Sequence, residues 1–303
     1  MHKSFHRPKT FGEILDHTFR LCKDRFKDFF LIMLIVIGPV YLLEVFLQMM
    51  TGTSFFRDMG TSGPFLDNID SFIEENADTT IENELGTLVT NLIVLILLPI
   101  AYAAVLLAFH RLKNNETFSA GEVIKQAFSK FWSILGASVI FGLILFALIF
   151  VPIFILTILV IISIATTHPA VAIILAIVLF LGVLLAILPL STRWSFYLGA
   201  VVFENKIPGL ASSWRLSSGR TWWLVGIFIV FNLIAWIIGS IIEGVFSLVL
   251  GYSVLFAIIS DIVALFTSMI IAVGYAVVYF DLRTRKEADD LRAMIDDYNS
   301  PTN

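Results

Sequence analysis

Charge is what this sequence has least of. Lys, Arg, Asp and Glu make up 15% of its 303 residues, against 58% for the apolar types. A soluble domain ordinarily carries about 25% charged residues. The chain therefore cannot hide its apolar side chains in one core under water, and lipid is the alternative solvent. Cysteine is scarcer still: a lone Cys22 excludes an internal disulfide and leaves the redox compartment unread. It falls on the apolar face of a predicted helix, where a small buried hydrophobe is its simplest role. Positive charge is not in excess either, and a net charge of -4 offers nothing to a nucleic acid. There is no P-loop, no Gly-rich dinucleotide turn and no Gly-x-Ser-x-Gly elbow. The histidines His2, His6, His17, His110 and His168 lack metal-ligand spacing. No cofactor, metal centre or catalytic set is expected, and the reading is of a protein that is not an enzyme. The N-terminal stretch has basic residues but no apolar run before residue 29, so it lacks a secretory signal pattern and the first span serves as its own insertion signal.

What the chain has in quantity is long apolar runs. Spanning a bilayer takes about 20 predominantly apolar residues, and six segments qualify, approximately 29–50, 87–110, 132–164, 170–202, 222–247 and 254–280. The third and fourth are over-long and contain Pro152 and Pro189, which points to tilted or kinked helices joined by a tight Thr167-His168-Pro169 turn. Orientation follows from Lys and Arg, which favour cytoplasmic loops. Of 20 such residues, 18 fall in 1–28, 111–130, 203–221 and 281–303, the segments that a six-span arrangement puts inside. Arg57 lies outside and Arg193 within a span. Both termini are thus expected in the cytoplasm. The outer segment 51–86 is acidic (Asp58, Asp67, Asp70, Glu74, Glu75, Asp78, Glu82 and Glu84). Phe65, Leu66, Ile69, Phe72 and Ile73 recur there at helical spacing, so it reads either as a surface helix or as a solvated loop.

The cytoplasmic segments resemble one another. Thr10-x-x-Glu13 and Ser119-x-x-Glu122 are capping-box patterns. An apolar stripe follows the first (Phe11, Ile14, Leu15, Phe19, Cys22, Phe26 and Phe29), with Glu13, Asp16, Arg20, Lys23, Asp24 and Lys27 opposite. This is the pattern of an interfacial helix with its apolar face in the acyl boundary. Val123, Ile124, Ala127, Phe128 and Phe131 follow the second box; a third helix begins at Pro208 and runs to Gly219. Trp132-x-x-x-Gly136 and Trp222-x-x-x-Gly226 recur at one spacing, as do Pro99 and Pro189, and Tyr102-Ala103 matches Tyr275-Ala276. The expected fold is all-α: six transmembrane helices in three tandem hairpins, each introduced by a cytoplasmic amphipathic helix. The alternative is that interfacial helices simply look alike. The units are about 9–113, 118–206 and 207–283, within one membrane domain 1–283 followed by a tail, 284–303. Ser138-x-x-x-Gly142, Gly182-x-x-x-Ala186, Ser240-x-x-x-Gly244 and Ser268-Ala272-Ala276 are candidate helix-packing faces.

An ionisable residue inside a span costs about 2.5–3.5 kcal/mol on insertion scales, so each one needs a partner or water. Arg193 has three open roles: an ion pair with Asp281, snorkelling toward the inner surface beside Trp194, or a ligand or lipid headgroup site. Toward the outer side lie Glu44, Glu243 and Asp261, which either share a cation or proton site or are independent of one another.

Two stretches carry a family likeness. One is Glu204-Asn205-Lys206, with Ala211-Ser212-Ser213-Trp214-Arg215-Leu216 and Gly219-Arg220-x-Trp222-Trp223. The other is Tyr279-Phe280-Asp281-Leu282-Arg283-Thr284-Arg285-Lys286-Glu287. With Phe11-Gly12-Glu13-Ile14-Leu15-Asp16 and Phe19-Arg20, they make nearly the whole chain resemble the bacterial glycerophosphoryl diester phosphodiesterase membrane domain family. Ala288 stands where that family commonly has glycine. Some relatives place a soluble phosphodiesterase barrel after this domain, and residues 281–303 are too few for one. The resemblance implies a bacterial plasma-membrane protein concerned with lipids or the cell envelope. Two functional readings follow. One is a non-enzymatic scaffold or accessory subunit whose basic inner surface meets anionic lipid or a partner protein. The other is a transporter or lipid-translocating permease with a site near Arg193 or Asp261.

Overall fold

The computed structural model describes residues 9–56, 81–166, 169–251 and 253–299, and among these every regular element is an α-helix. In chain order they are α1 (Phe11–Asp24), α2 (Phe26–Met50), α3 (Ile81–Lys113), α4 (Ala120–Phe128), α5 (Phe131–Thr166), α6 (Pro169–Trp194), α7 (Tyr197–Glu204), α8 (Leu210–Ser217), α9 (Thr221–Leu250) and α10 (Val254–Asn299). A short helix followed by a long outgoing and a long returning stretch thus occurs three times. Among the described residues six helical stretches are long and apolar enough to cross a bilayer: Phe26–Met50, Gly86–Lys113, Phe131–Ser163, Ala176–Glu204, Thr221–Leu250 and Val254–Ala288. The chain is a multi-pass integral membrane protein.

Several boundaries differ from the sequence reading. The second span begins at Gly86, close to the expected 87, within a helix α3 that starts earlier, at Ile81. Helix α10 runs on through Asp281 to Asn299, so 284–299 continues a helix instead of forming a separate tail. Pro152 and Pro189 lie inside α5 and α6. The fourth span is interrupted beyond Pro189, between Trp194 and Tyr197. Helix α8 starts at Leu210 rather than Pro208, because Gly209 precedes it in a left-handed conformation (φ +76°). The acidic helix proposed around residues 65–73 and the turn at 167–168 lie outside the described residues.

The chain divides into two compact units, Met1–Ser129 with Ile229–Asp281, and Lys130–Phe228 with Leu282–Asn303. In the first unit Phe29, Ile32 and Met33 of α2, Ile100 to Phe109 of α3, and Met269, Ala272, Val273 and Ala276 of α10 are buried. Phe109 stacks on Phe280 at 5.1 Å between centroids. Close approach explains Gly274: a Cβ there would lie 2.8 Å from the Phe231 ring. The N–H groups of Val254 and Leu255 donate to the carbonyls of Ser54 and Phe55 (3.1 and 3.2 Å), tying the stretch just after α2 to the start of α10. Helix α1 opens on a capping box, with the Glu13 carboxylate accepting from the Thr10 N–H at 2.8 Å and the Thr10 hydroxyl at 3.1 Å. Part of its apolar face is covered by protein, with Ile14, Leu21 and Cys22 buried, while Phe11, Leu15 and Phe19 are half-buried and Phe26, just beyond it, is exposed. His17 sits edge-on to Phe109 at 6.5 Å. Asp16, Arg20, Lys23 and Asp24 face outward.

In the second unit the interruption after α6 is stitched by α8. Ser213 accepts from the Phe196 N–H (3.0 Å) and donates to the Arg193 carbonyl (2.6 Å), satisfying backbone groups that a helix break would otherwise orphan. At the far end of α7, Lys130 Nζ donates to the Val202 carbonyl (2.6 Å) and to Asn205 Oδ1 (2.7 Å). Asn205 itself adopts the left-handed cap (φ 52°). Of the four small-residue faces, the one on α10 is packed, with Ala272 and Ala276 buried, and Ser138 of the first shares a hydrogen bond with the Tyr197 hydroxyl at 2.8 Å. A Cβ placed on Gly142, Gly182 or Gly244 would meet no neighbouring atom within 4 Å.

Candidate functional site: an arginine and tryptophan pocket

Arg193 is the last basic residue of α6, and the break that follows it turns its surroundings from apolar helix into polar junction. Its guanidinium lies over the Trp214 ring at 4.3 Å, and Trp214 in turn packs against Trp194 at 5.7 Å. Its Nε donates to Thr221 Oγ1 at 2.8 Å. The stack and the single bond hold the planar head by one face and one edge. Both Nη groups remain without an acceptor among the described residues, on the edge whose fork matches a carboxylate or phosphate. Thr221 is buried and Arg193 half-buried.

Arg193 lines a cavity of about 620 Å³ together with Pro189, Leu190, Gly219, Arg220, Thr221, Trp222 and Trp223. Arg220 is exposed and its side chain has no described partner. It sits at the start of α9, a helix of 30 residues, and its carbonyl accepts from Leu224 N–H at 3.0 Å. The N–H groups of Thr221, Trp222 and Trp223, one turn ahead of that bond, find no backbone acceptor among the described residues. Arg285 lies over the Trp223 ring, at 5.8 Å from its centre. The pocket therefore joins two guanidiniums, a helix N-terminus and an apolar floor. That is anion-binding chemistry beside hydrocarbon.

The expected partner of Arg193, Asp281, belongs to the other compact unit. There it is 3% exposed and accepts the Lys9 N–H at 2.7 Å. Arg193 and Asp281 each have partners within their own unit. The outer carboxylates are partly assembled in the first unit. Glu44 acts by charge on Asp261, and Tyr41 lies within the field of both. Thr90, close to Glu44, donates its hydroxyl to the Gly86 and Thr87 carbonyls of its own helix (3.2 and 3.0 Å). Asp261 Oδ2 and Ser260 Oγ are buried without a hydrogen-bond partner among the described residues. Glu243, half-buried, contributes nothing to that pair. Sequence reasoning included Glu243, missed Tyr41 and Thr90, and in the pocket missed Arg220 and Thr221 as companions of Arg193. The Gly219-Arg220-x-Trp222-Trp223 run was the available signal.

Compared with family models, with curated proteins and with solved structures, the chain matches none.

Proposed function

We propose that this chain is a bacterial plasma-membrane protein with cytoplasmic termini, a relative of the glycerophosphoryl diester phosphodiesterase membrane domain. It works without catalysis, as a scaffold or accessory subunit in envelope or lipid processes. The observation that carries this reading is how its short helices are set. Helices α1 and α4 turn Ile14, Leu21, Val123, Ile124 and Ala127 into their own unit, and present Arg20, Lys23, Glu122 and Lys125 outward. They are anchored to protein, so their charged faces are fixed platforms at the membrane surface. A Lys or Arg there adds about 1 kcal/mol of attraction to an anionic leaflet, reduced by the acids mixed among them. Lipid co-purified in mild detergent tests the reading. Enrichment of anionic lipid over the bulk membrane, stripped progressively by salt, is expected; a lipid composition equal to the bulk membrane's overturns it.

The Glu44 and Asp261 pair supports a second reading, a permease that carries a proton or cation with its substrate. Transport in proteoliposomes that disappears in Glu44→Gln and Asp261→Asn at normal folded yield favours it. Wild-type protein that moves no cation or lipid removes it.

A further inference from the structure

We infer that the Arg193 pocket is a binding site for one phosphate-bearing anion, the headgroup of an acidic phospholipid. This rests on the reading of an anionic lipid surface but names one site within it. Neutralising a whole basic platform needs only diffuse charge, whereas this pocket is built for one group.

Arg193 is already held on Trp214 and Thr221 before anything binds. A long side chain that is fixed in advance loses little rotamer freedom on engaging a ligand, and its remaining edge can grip two oxygens of one phosphate. Arg220 approaches from the start of α9, and the unsatisfied N–H groups of that helix add a partial positive charge directed at the same space. A carboxylate in the pocket would cancel this field, and among the described residues none lines it. The cavity of about 620 Å³ exceeds what a bare phosphate fills, and leaves room for a headgroup alcohol.

The source of the phosphate follows from the rest of the lining. Pro189 and Leu190 sit on the apolar stretch of α6, so the pocket floor continues into a bilayer-spanning helix. Trp222 is 61% exposed, and Trp214 and Trp223 flank the arginines. Tryptophan with an apolar body and a polar edge belongs at headgroup depth. An ion from water has no use for that floor; a lipid lays its glycerol and first methylenes there.

The test uses the full chain in detergent and native mass spectrometry, with titration of phosphatidylglycerol, phosphatidylcholine and inorganic phosphate. Wild type is expected to prefer phosphatidylglycerol over phosphatidylcholine by about tenfold or more, with millimolar inorganic phosphate competing weakly. Arg193→Gln and Arg220→Gln should each lower that preference by roughly tenfold, the loss of one charge-assisted contact. Arg193→Lys keeps the charge but loses the fork and the flat stack, and should fall between wild type and Arg193→Gln. Thermal unfolding of each variant without added lipid confirms that the fold is intact. A folded double variant that keeps the full preference overturns the site. If that same variant still enriches anionic lipid from the membrane in a salt-sensitive way, the platform reading stands without the pocket. Tight binding of inorganic phosphate that blocks phosphatidylglycerol keeps the anion chemistry and overturns the lipid source. Anionic enrichment absent from wild type, with a pocket preference intact, removes the platform and keeps the site.

Discussion

The two compact units meet the same demand in opposite ways. Half of the most apolar stretch of α3, in the first unit, is buried by protein, whereas none of that of α5, in the second, is. Yet α5 is the more hydrophobic of the two, and Leu143, Phe146, Phe150 and Phe154 stand exposed along it. Hydropathy reports which solvent a helix tolerates and says nothing of how tightly it packs. In the first unit, aromatic and small residues interlock; the α5 and α6 arms of the second are finished by lipid, which is as apolar as they are and gives helices little reason to associate. Near the α6–α7 break the second unit is packed by polar stitching instead, through Ser213, Ser217, Lys130 and Arg193.

The sharpest way to break that comparison is a pair of phenylalanines. Phe231 is 1% exposed and seated on Gly274, and Phe154 is 56% exposed. Phe231→Ala should cost about 3–5 kcal/mol through lost burial and the cavity left behind, and Phe154→Ala no more than about 0.5 kcal/mol. Thermal unfolding of both in the same detergent decides. Equal losses would mean that α5 is held by protein contacts after all.

The next effect belongs to the first unit and depends on pH. His17 on α1 is 4% exposed, and loss of hydration, with the charges of Lys9 and Arg20 adding, pushes its imidazole down to about 4 from the ordinary 6.5. Between those values the unfolded chain takes up a proton that the folded chain does not. Stability is therefore complete above about pH 6.5 and falls as the pH drops toward 4, by roughly 3 kcal/mol in all. His17→Leu should flatten that part of the profile relative to wild type, when unfolding is followed from pH 7 to 4.5. An unchanged slope would place the acid-sensitive group elsewhere. Cys22, one turn further along the same buried face, has its thiol pushed up to about 12 by burial, so a thiol reagent near neutral pH should leave it untouched while the fold holds.

A smaller effect tests the polar stitching of the second unit. Gly209 carries φ +76°, and a Cβ there would lie 2.8 Å from the Tyr197 carbonyl and 3.0 Å from the Ala200 Cβ. Left-handed backbone alone costs an L-residue about 1–2 kcal/mol. Gly209→Ala should lose roughly 2 kcal/mol or more, whereas Gly142→Ala, in open space on α5, should cost almost nothing. Comparable losses at the two positions would put α5 in a tighter setting than its exposure implies.

Much of this architecture was legible in the residues. Long apolar runs set the six helices, and capping residues such as Thr10 and Ser119 set the starts of short ones. Depth along a helix was legible too: Arg193, Glu44 and Asp261 each needed special surroundings. Azimuth was not. A helix that is apolar all round carries no stripe to say which side faces which neighbour, so the partners of Arg193 could not be read from its own element. Thr221 and Trp214 reach it from stretches 28 and 21 positions away by residue number. The same blindness brought Glu243 into the carboxylate set and left out Tyr41, which shares α2 with Glu44.

Ser213 is where that missing information lies, and its replacement is the mildest probe. Its hydroxyl accepts one N–H and donates to one carbonyl across the α6–α7 break, and it is 1% exposed. Ser213→Ala leaves the Phe196 N–H without that acceptor, while the Arg193 carbonyl keeps a longer bond from Ser217 at 3.3 Å. A buried group left unsatisfied costs about 1–3 kcal/mol, and the surviving bond puts the expected loss near the lower end, about 1 kcal/mol. Ser217→Ala should cost less by itself, and the double variant more than the sum, because each hydroxyl covers for the other at one carbonyl. That carbonyl belongs to Arg193, so loosening it blurs the aim of the guanidinium without removing its charge. A roughly threefold fall in phosphatidylglycerol preference for Ser213→Ala, smaller than for Arg193→Gln, is the matching expectation. A fall as large as that of Arg193→Gln would mean that the stitched break, rather than the arginine's charge, sets the strength of the site.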